Sequence, residues 1–214
     1  MAAVTDLILA DARADSPIDG RRARRERGRL AVVDAMVDLV RDGHTPPTTE
    51  AIAERAGVSV ASLFRYFPTL EDLQQQTTAR FMDLYAALLD IPDLGVGSTG
   101  ERIERYIAAR IELYETVGPI ARFARAMSFE RPHLAANLTA LHRRHADVTR
   151  RHFSLELRPL SAAARDDRVA VLISISSFES WELLERDLGR SRNQVRRAWA
   201  WSIGSILSGC ADRG

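Results

Sequence analysis

The sequence contains no lysine, although it is rich in basic residues: all 30 of them are arginine. A guanidinium binds phosphate as a planar fork, so the lack of lysine does not exclude nucleic acid as a partner. With 29 acidic residues the net charge is only +1, so any surface for a polyanion has to be local. One short stretch provides such a surface, because it concentrates six arginines: Arg21, Arg22, Arg24, Arg25, Arg27 and Arg29.

Cysteine and long apolar runs are also scarce. Cys210 is the sole cysteine, which excludes an intramolecular disulfide and suits a reducing compartment. The longest apolar run, near residues 169–175, is far shorter than the roughly 20 residues that a bilayer requires. The N-terminus carries Asp6 and Asp11 and lacks the basic start of a signal peptide. We therefore expect a cytoplasmic protein with no membrane partner.

The motifs of common catalytic sites are missing as well. The sequence has no glycine-rich phosphate loop, no nucleophile elbow and no His-Glu-x-x-His. His142, His145 and His152 recur at helical spacing, but no cysteine or carboxylate is spaced to complete a metal site. We interpret His145 and His152 as core histidines. The sequence thus predicts no catalytic residue, no metal, no cofactor and no enzymatic activity.

Residues 48–73, TTEAIAERAGVSVASLFRYFPTLEDL, have the pattern of a helix-turn-helix. Thr48 is a candidate N-cap of the first helix, and Ser59 of the second. Gly57 stands between them, where the chain has to leave a helix through a left-handed conformation that glycine adopts at little cost. Leu63 and Phe67 lie one turn apart and are predicted to face the core. In a helix-turn-helix of this kind, the second helix is the one that enters the major groove of DNA.

The outer face of this second helix is short of charge but suited to DNA. Val60 and Ala61 can contact thymine methyl groups, and Arg65 can reach guanine or phosphate. Side chains at the helix starts and near the helix end are placed for phosphate oxygens. The arginine cluster can lie along phosphates or enter the minor groove; its alternative is a solvated helix end. The predicted DNA-binding residues are Arg21, Arg22, Arg24, Arg25, Thr48, Thr49, Ser59, Val60, Ala61, Ser62, Arg65 and Tyr66.

The run AGVSVASLFRYFPTLEDL resembles the DNA-binding half of the tetracycline-repressor (TetR) family. It carries that family's Ala-Gly-Val-Ser, its leucine and aromatic residue, its phenylalanine and its acidic helix start. The resemblance extends back over residues 21–43 and, more loosely, over the whole chain. Three positions differ from the usual pattern: Phe64 stands where tyrosine is common, Leu70 where lysine is common, and Glu50 where a basic residue is common. The resemblance implies a homodimeric transcriptional regulator with a helical C-terminal ligand-binding and dimerisation domain.

The periodicity along the chain predicts an all-α fold of about nine helices, because no segment alternates as a strand. We predict a flexible arm over residues 1–20, a three-helix DNA-binding domain over 21–69, and a ligand-binding and dimerisation domain over 70–214. Glycine and proline mark the expected breaks. Outside the helix-turn-helix, the predicted helices cover residues 22–41, 70–90, 101–116, 120–129, 133–153, 161–187 and 192–208.

A small-molecule site is predicted in the helical domain. Arg110 falls on the apolar stripe of its helix, where it is either paired with an internal carboxylate, snorkelling to solvent, or an anchor for an effector carboxylate or phosphate. Hydroxyls and aromatic rings on other helices suit an apolar pocket with a few polar groups, and plain core packing is the alternative. The candidate effector-binding residues are Phe81, Tyr85, Tyr106, Arg110, Phe123, Met127, His145, Ser174, Ser177, Phe178 and Trp181.

The last two helices resemble the C-terminal pair that forms an intersubunit four-helix bundle in the TetR family. The predicted dimer interface is Val195, Trp199, Ile203 and Ile206. These features together predict a repressor that a small, mostly apolar effector releases from a palindromic operator in double-stranded DNA. The alternatives are an activator, or a helical-bundle binding protein or enzyme that has kept a vestigial DNA-binding domain.

Overall fold

The computed structural model describes residues 17–209 and confirms the all-α prediction, since this part of the chain contains helices and turns but no strand. It divides after Phe81 into two compact units. Cys210 and most of the predicted N-terminal arm lie outside the described residues. None of the helices in residues 17–209 has the length and apolar character needed to cross a membrane.

The first unit contains α1 (Pro17–Arg41), α2 (Thr49–Arg55), α3 (Val60–Tyr66) and the beginning of α4 (Leu70–Tyr85). On α1, Leu30, Val33, Met36 and Val40 recur at helical spacing; the last three are buried, whereas Leu30 is exposed. The inner faces of all four helices meet in one apolar core, which explains why the short α2 and α3 are stable. The core consists of Val32, Val33, Ala35, Met36, Leu39, Ile52, Ala53, Leu63, Phe67 and Leu73.

The first part of α4 belongs to this unit, so the units divide at residue 81 rather than at the predicted residue 69. Leu73 is fully buried in the core described above. Further along, the Thr77 hydroxyl, which donates to the Leu73 carbonyl at 2.8 Å, lies 3.4 Å from the Met36 sulfur, and Arg80 pairs with Asp34 of α1 at 2.7 Å. These contacts extend the packing of α4 on α1 by about two turns beyond Leu73.

The second unit is built around one long helix, α5 (Thr99–Ser128), which packs against α6, α9 and α10. A 3-10 turn (Ala86–Leu89) precedes α5, and a turn of π-helix (Leu183–Asp187) follows α9. The remaining helices are α6 (Pro132–His152), α7 (Ser154–Leu157), α8 (Ala162–Ile175), α9 (Phe178–Glu182) and α10 (Arg192–Ser208).

The predicted break at Gly118-Pro119 was wrong, because α5 continues through Pro119. A proline inside a helix removes one backbone hydrogen bond, and tertiary packing has to compensate. Here Gly118 lies against the Trp181 ring of α9, which is 3.8 Å from where a Cβ on Gly118 would stand, an ordinary van der Waals distance. Ion pairs of Arg122 with Glu182, at 2.8 Å, and of Arg125 with Glu179 then join the second half of α5 to α9.

The predicted single helix over residues 161–187 is divided at Ser176. The buried Ser176 hydroxyl donates to the Leu172 carbonyl at 2.6 Å, so it competes with the backbone ladder. Ser177 then caps α9, and its side chain accepts a hydrogen bond from the Ser180 N–H at 3.2 Å. Serine favours this capping role over a helix interior, which explains the break.

Candidate functional sites

The helix-turn-helix has the local geometry that its sequence predicts. The Thr48 hydroxyl accepts from the Ala51 N–H at 3.2 Å at the start of α2. Gly57 is left-handed, with φ of +67°, in the turn to α3. The Ser59 side chain caps α3 by accepting from the Ser62 N–H at 3.1 Å. Both predicted caps and the predicted role of Gly57 are confirmed.

The two faces of α3 differ as predicted. Leu63 and Phe67 are buried in the core, whereas Ala61, Phe64 and Arg65 are exposed. The outer surface is therefore available to a ligand, while the inner surface holds the helix in place. Phe64 presents an apolar ring at this surface, with no hydroxyl for a phosphate.

Serine and arginine side chains form a chain of hydrogen bonds on this outer surface. The Ser62 hydroxyl oxygen accepts from the Ser59 hydroxyl at 3.0 Å and from Nη2 of Arg65 at 2.9 Å. Because Ser62 accepts twice, its own proton is left to donate to a phosphate or a base acceptor. Ser59 already accepts and donates within α3, so it serves mainly as the cap. Arg65 keeps further guanidinium N–H groups for a ligand.

Two predicted DNA contacts are less exposed than the sequence indicates. Val60 and Tyr66 are half-buried and pack against the core of the first unit. The Tyr66 ring lies over α1 at Gly28, where a Cβ would come within 2.5 Å of the phenol oxygen. Arg29 of α1 also donates to the Tyr66 carbonyl at 2.9 Å and lies 4.8 Å from the Phe67 ring centroid. Sequence reasoning missed this support of α3; the small Gly28 beside a basic residue was the available signal.

The remaining DNA-binding candidates lie on α1 and at the start of α2. Thr48 and Thr49 open α2, and the Thr49 hydroxyl donates to the Glu50 carboxylate at 3.1 Å. The arginines of the first turns of α1 are exposed, whereas Arg29 is engaged with the end of α3. The exposed predicted contacts on α1 are Arg21, Arg22, Arg24 and Arg25.

A buried polar cluster occupies the interior of the second unit. Tyr106, Arg110 and Tyr114 follow one another at four-residue steps along α5, and all three are buried. Arg110 as a whole residue is only 2% exposed, and its guanidinium lies 5.1 Å from the Tyr106 ring centroid. In the described part of the chain, Nη2 of Arg110 has no hydrogen-bond partner. A snorkelling head group, one of the predicted alternatives, is therefore excluded.

The two tyrosine hydroxyls in this cluster are satisfied. The Tyr106 hydroxyl hydrogen bonds with the hydroxyls of Thr149, at 3.0 Å, and Ser176, at 2.9 Å. The Tyr114 hydroxyl donates to the Ser176 carbonyl at 2.8 Å. Burial raises the pKa of Tyr114 far above its usual value, so this hydroxyl stays protonated and uncharged. Tyr114 consequently offers Arg110 no negative charge.

His145 of α6 is the other incompletely satisfied group. It is buried, and its Nε2 has no hydrogen-bond partner among residues 17–209. Burial, followed by the nearby Arg110 charge, lowers the pKa of His145 to about 3. The imidazole is therefore neutral at physiological pH, and Arg110 carries the positive charge of the cluster.

The other effector candidates are only partly brought to this cluster. The rings of Phe178 and Trp181 pack on Tyr114, with centroids 5.6 and 6.1 Å away. Ser177 caps α9, while Ser174 is exposed and donates to the Ala170 carbonyl on its own helix. The half-buried candidates are Phe123 and Met127 on α5 and Phe81 and Tyr85 on α4, of which Phe81 belongs to the first unit.

The predicted dimer interface requires correction. Val195, Trp199 and Ile203 are buried within the chain on the inner face of α10, and Ile206 is half-buried. Val195, Trp199 and Ile203 form the apolar face by which α10 packs on α5. These three side chains are therefore core residues and are not accessible to a second copy. The outer face of α10 instead presents Trp201, which is 75% exposed.

His152 is a satisfied core histidine, as predicted. Its Nδ1 accepts from the Gly95 N–H at 3.2 Å, so its Nε2 carries the proton and donates to the Arg102 carbonyl at 2.9 Å. Burial lowers its pKa, which keeps the ring neutral. Within residues 17–209, no group of three or more histidine, cysteine or acidic side chains is placed to hold a metal ion.

The first unit presents a capped α3 that α1 and α2 support, which is the architecture of a helix-turn-helix. Residues 41–76 match the family model of bacterial regulatory proteins of the tetR family. The resemblance drawn from the sequence is thereby confirmed for the helix-turn-helix segment, which is similar to that of the tetR family.

Known proteins similar to this chain are regulators. A curated relative, the HTH-type transcriptional repressor LfrR of Mycolicibacterium smegmatis, is 30% identical over 99 residues, or 46% of this chain; the match spans half of that relative's length. A tetR-family transcriptional regulator from Streptomyces coelicolor shares the fold with a TM-score of 0.66 at 20% identity, covering 87% of this chain and 82% of that one. A transcriptional regulator from Rhodococcus sp. Rha1 gives a TM-score of 0.63 at 16% identity, covering 86% and 96%.

Proposed function

We propose that this protein is a DNA-binding transcriptional repressor that acts as a homodimer on a palindromic operator in double-stranded DNA. The observation that carries the proposal is the outer surface of α3, where Ser62 and Arg65 are joined by a hydrogen bond and both retain donors for a ligand. Arginine reads guanine through two donors, and serine binds phosphate or a base edge. The tetR-family match and the similarity to a repressor support the same conclusion.

The proposed DNA contacts divide by role. Arg65 and Ser62, with Val60 and Ala61, read base edges from the major groove, because they lie at the exposed surface or edge of α3. Thr48 and Thr49 at the start of α2 bind phosphate, where backbone N–H groups also point outward. The arginines of α1 add sequence-independent affinity through the phosphates.

A palindromic operator requires a protein with two-fold symmetry and two recognition helices about 34–36 Å apart. The helices α8 and α10 lie side by side in one protomer. We propose that their outer faces together form the dimer interface. Trp201 lies on α10 and Val171 on α8, and both are large exposed apolar side chains. Ala198, Ser205 and Ala170 are small exposed neighbours on the same two helices and allow close helix approach.

We further propose that an effector bound in the second unit weakens operator binding, and that the protein works in the cytoplasm. The effector acts by binding more tightly to a conformer that does not match the operator spacing. The rival, an enzyme or carrier with a vestigial DNA-binding domain, does not require a capped α3 with an exposed, pre-arranged polar surface. An activator would share the same DNA contacts and is distinguished only by the transcriptional outcome.

The test is selection of bound fragments from random double-stranded DNA with the purified protein. The expected result is enrichment of a palindrome whose half-sites lie about one helical turn, or a multiple of it, apart. A transcription assay with that sequence placed in a promoter then separates repression from activation. Failure to enrich any sequence above a variant that carries Arg65→Ala and Ser62→Ala would contradict the proposal.

A further inference from the structure

We propose that Arg110 binds the carboxylate of a monoanionic, otherwise apolar ligand inside the second unit, with His145 as the second polar contact. The inference rests on the proposed function, since it specifies the chemical class of the effector. It starts from a comparison of two arginines on the same helix.

Arg102 and Arg110 lie about two turns apart on α5, and both are 2% exposed. Arg102 is compensated, because it pairs with the Glu156 carboxylate and donates to the Gly97 carbonyl. Arg110 has an aromatic face beside it and an Nη2 with no hydrogen-bond partner among residues 17–209. A buried cation without an anionic partner is strongly unfavourable, whereas the same cation with a bound anion is stabilised.

The groups around Arg110 are neutral, so they fix the charge of the ligand. Tyr114 stays protonated, because burial raises its pKa, and its hydroxyl donates to the Ser176 carbonyl; the Tyr106 hydroxyl is hydrogen-bonded to Thr149. His145 is uncharged, and its unpartnered Nε2 is available to one further hydrogen bond. One fixed positive charge matches one negative charge. A dianion such as phosphate would leave an excess charge in a dry environment, so the geometry favours a carboxylate.

The remainder of the ligand is apolar, because the neighbouring side chains are. Phe178 and Trp181 pack against Tyr114, which is one turn from Arg110 on α5. Both rings belong to α9, which follows the break at Ser176. The Tyr106 hydroxyl contacts the Ser176 hydroxyl, and the Tyr114 hydroxyl donates to the Ser176 carbonyl. A ligand that contacts Arg110, His145 and these two rings therefore bridges α5 and α6 to α9, next to the break between α8 and α9.

The first experiment compares charged and uncharged ligands on the unaltered protein. The probes are naphthalene-2-carboxylate and decanoate, each with its matched amide, with chloride and phosphate as inorganic probes. Binding is measured by tryptophan fluorescence and by the shift in melting temperature. We expect each carboxylate to bind about 10- to 100-fold more tightly than its amide, which is the range of one charge-assisted hydrogen bond.

The second experiment uses Arg110→Met, with Arg122→Met on the exposed side of the same helix as the matched control. The first variant should lose the preference for the carboxylate over the amide, and the control should keep it. Without ligand, Arg110→Met should melt no lower than the unaltered protein, because an uncompensated buried charge has been removed. A structural role for Arg110 would instead lower the melting temperature.

Several results would overturn the proposal: equal affinity for acid and amide, no saturable binding of either carboxylate, an unaltered preference in Arg110→Met, or protection by chloride or phosphate equal to that by the carboxylates. Operator binding is measured separately by gel shift. If the carboxylates bind through Arg110 but do not weaken operator binding, the anion site stands and the proposed effector response fails.

Discussion

The guanidinium of Arg29 in α1 donates a hydrogen bond to the main-chain carbonyl of Tyr66, the last residue of α3, at 2.9 Å. One residue earlier on α1, Gly28 leaves the space in which the Tyr66 ring lies. The proposed recognition helix is therefore oriented by two adjacent residues of a different helix. A basic side chain at a helix C-terminus also stabilises the helix dipole.

We predict that Gly28→Ala weakens operator binding. The effect is expected even though alanine is favoured over glycine in a helix by about 1 kcal/mol. The new methyl group would lie 2.5 Å from the Tyr66 hydroxyl oxygen, so the ring of Tyr66 has to leave its place on α1. Gel-shift titration and thermal melting measure the two effects. Gly20→Ala on the same helix is the control, because nothing lies within 4 Å of its added Cβ. Equal operator affinity in both variants would show that the packing of Tyr66 on Gly28 does not position α3.

Arg65→Ala should weaken binding of the selected operator by about 1–3 kcal/mol, because Arg65 is proposed to read a base. The melting temperature should change little, since the side chain is exposed. Arg55→Ala on α2 is a suitable control: Arg55 is exposed and pairs with Asp42 at 3.0 Å within the first unit. A similar loss in both variants would mean that Arg65 acts through general charge and not through readout.

Replacing Arg21, Arg22, Arg24 and Arg25 together with glutamine should weaken binding to specific and random DNA alike. The slope of log affinity against log salt should become shallower by about 1 for each arginine that binds a phosphate in the complex. A control with the same net charge replaces four exposed arginines of the second unit: Arg143, Arg151, Arg158 and Arg186. If the two quadruple variants have the same slope, the α1 arginines face solvent in the complex.

Trp201→Glu should yield a folded monomer, whereas Trp199→Glu should prevent folding. Trp201 is 75% exposed on the outer face of α10, while Trp199 is 2% exposed on the inner face. A charge on the outer face disrupts only a contact with a second copy, but a charge in the core is left unpaired. Light scattering and circular dichroism distinguish the cases. A Trp201→Glu dimer of unchanged stability would place the two-fold contact on another surface.

Acidification should destabilise the protein partly through His145. Its folded-state pKa of about 3 lies below the usual 6.5, so below pH 6.5 the unfolded state binds the extra proton. The stabilisation is complete above pH 6.5 and is lost progressively as the pH falls towards 3. His145→Asn should therefore reduce the pH dependence of the unfolding free energy by up to about 1.4 kcal/mol per pH unit in this range. Urea titrations at several pH values measure it, and parallel curves for both proteins would contradict the assignment.

Local features of the DNA-binding domain could be predicted from the sequence, because short-range chemistry controls them. Thr48 and Ser59 are caps and Gly57 is left-handed, each as its residue type requires. The inward faces of Leu63 and Phe67 follow from helical periodicity alone. The family resemblance rests on the same stretch, which is why the amino-acid sequence alone was enough to recognise it.

The tertiary structure decided what depends on contacts between distant segments. α5 continues through Pro119, and the second half of the helix packs and forms ion pairs with α9, a contact that the local sequence does not indicate. On α10, periodicity identified an apolar face, but only packing against α5 shows that Trp199 is in the core and Trp201 outside it. For Arg110, the sequence left open a salt bridge, a snorkelling head or a ligand anchor, since burial and partners are set by neighbouring helices. The sequence by itself determined the caps, the turns and the apolar faces, because these depend on neighbouring residues; the fold determined where α5, α8 and α9 begin and end and which faces meet.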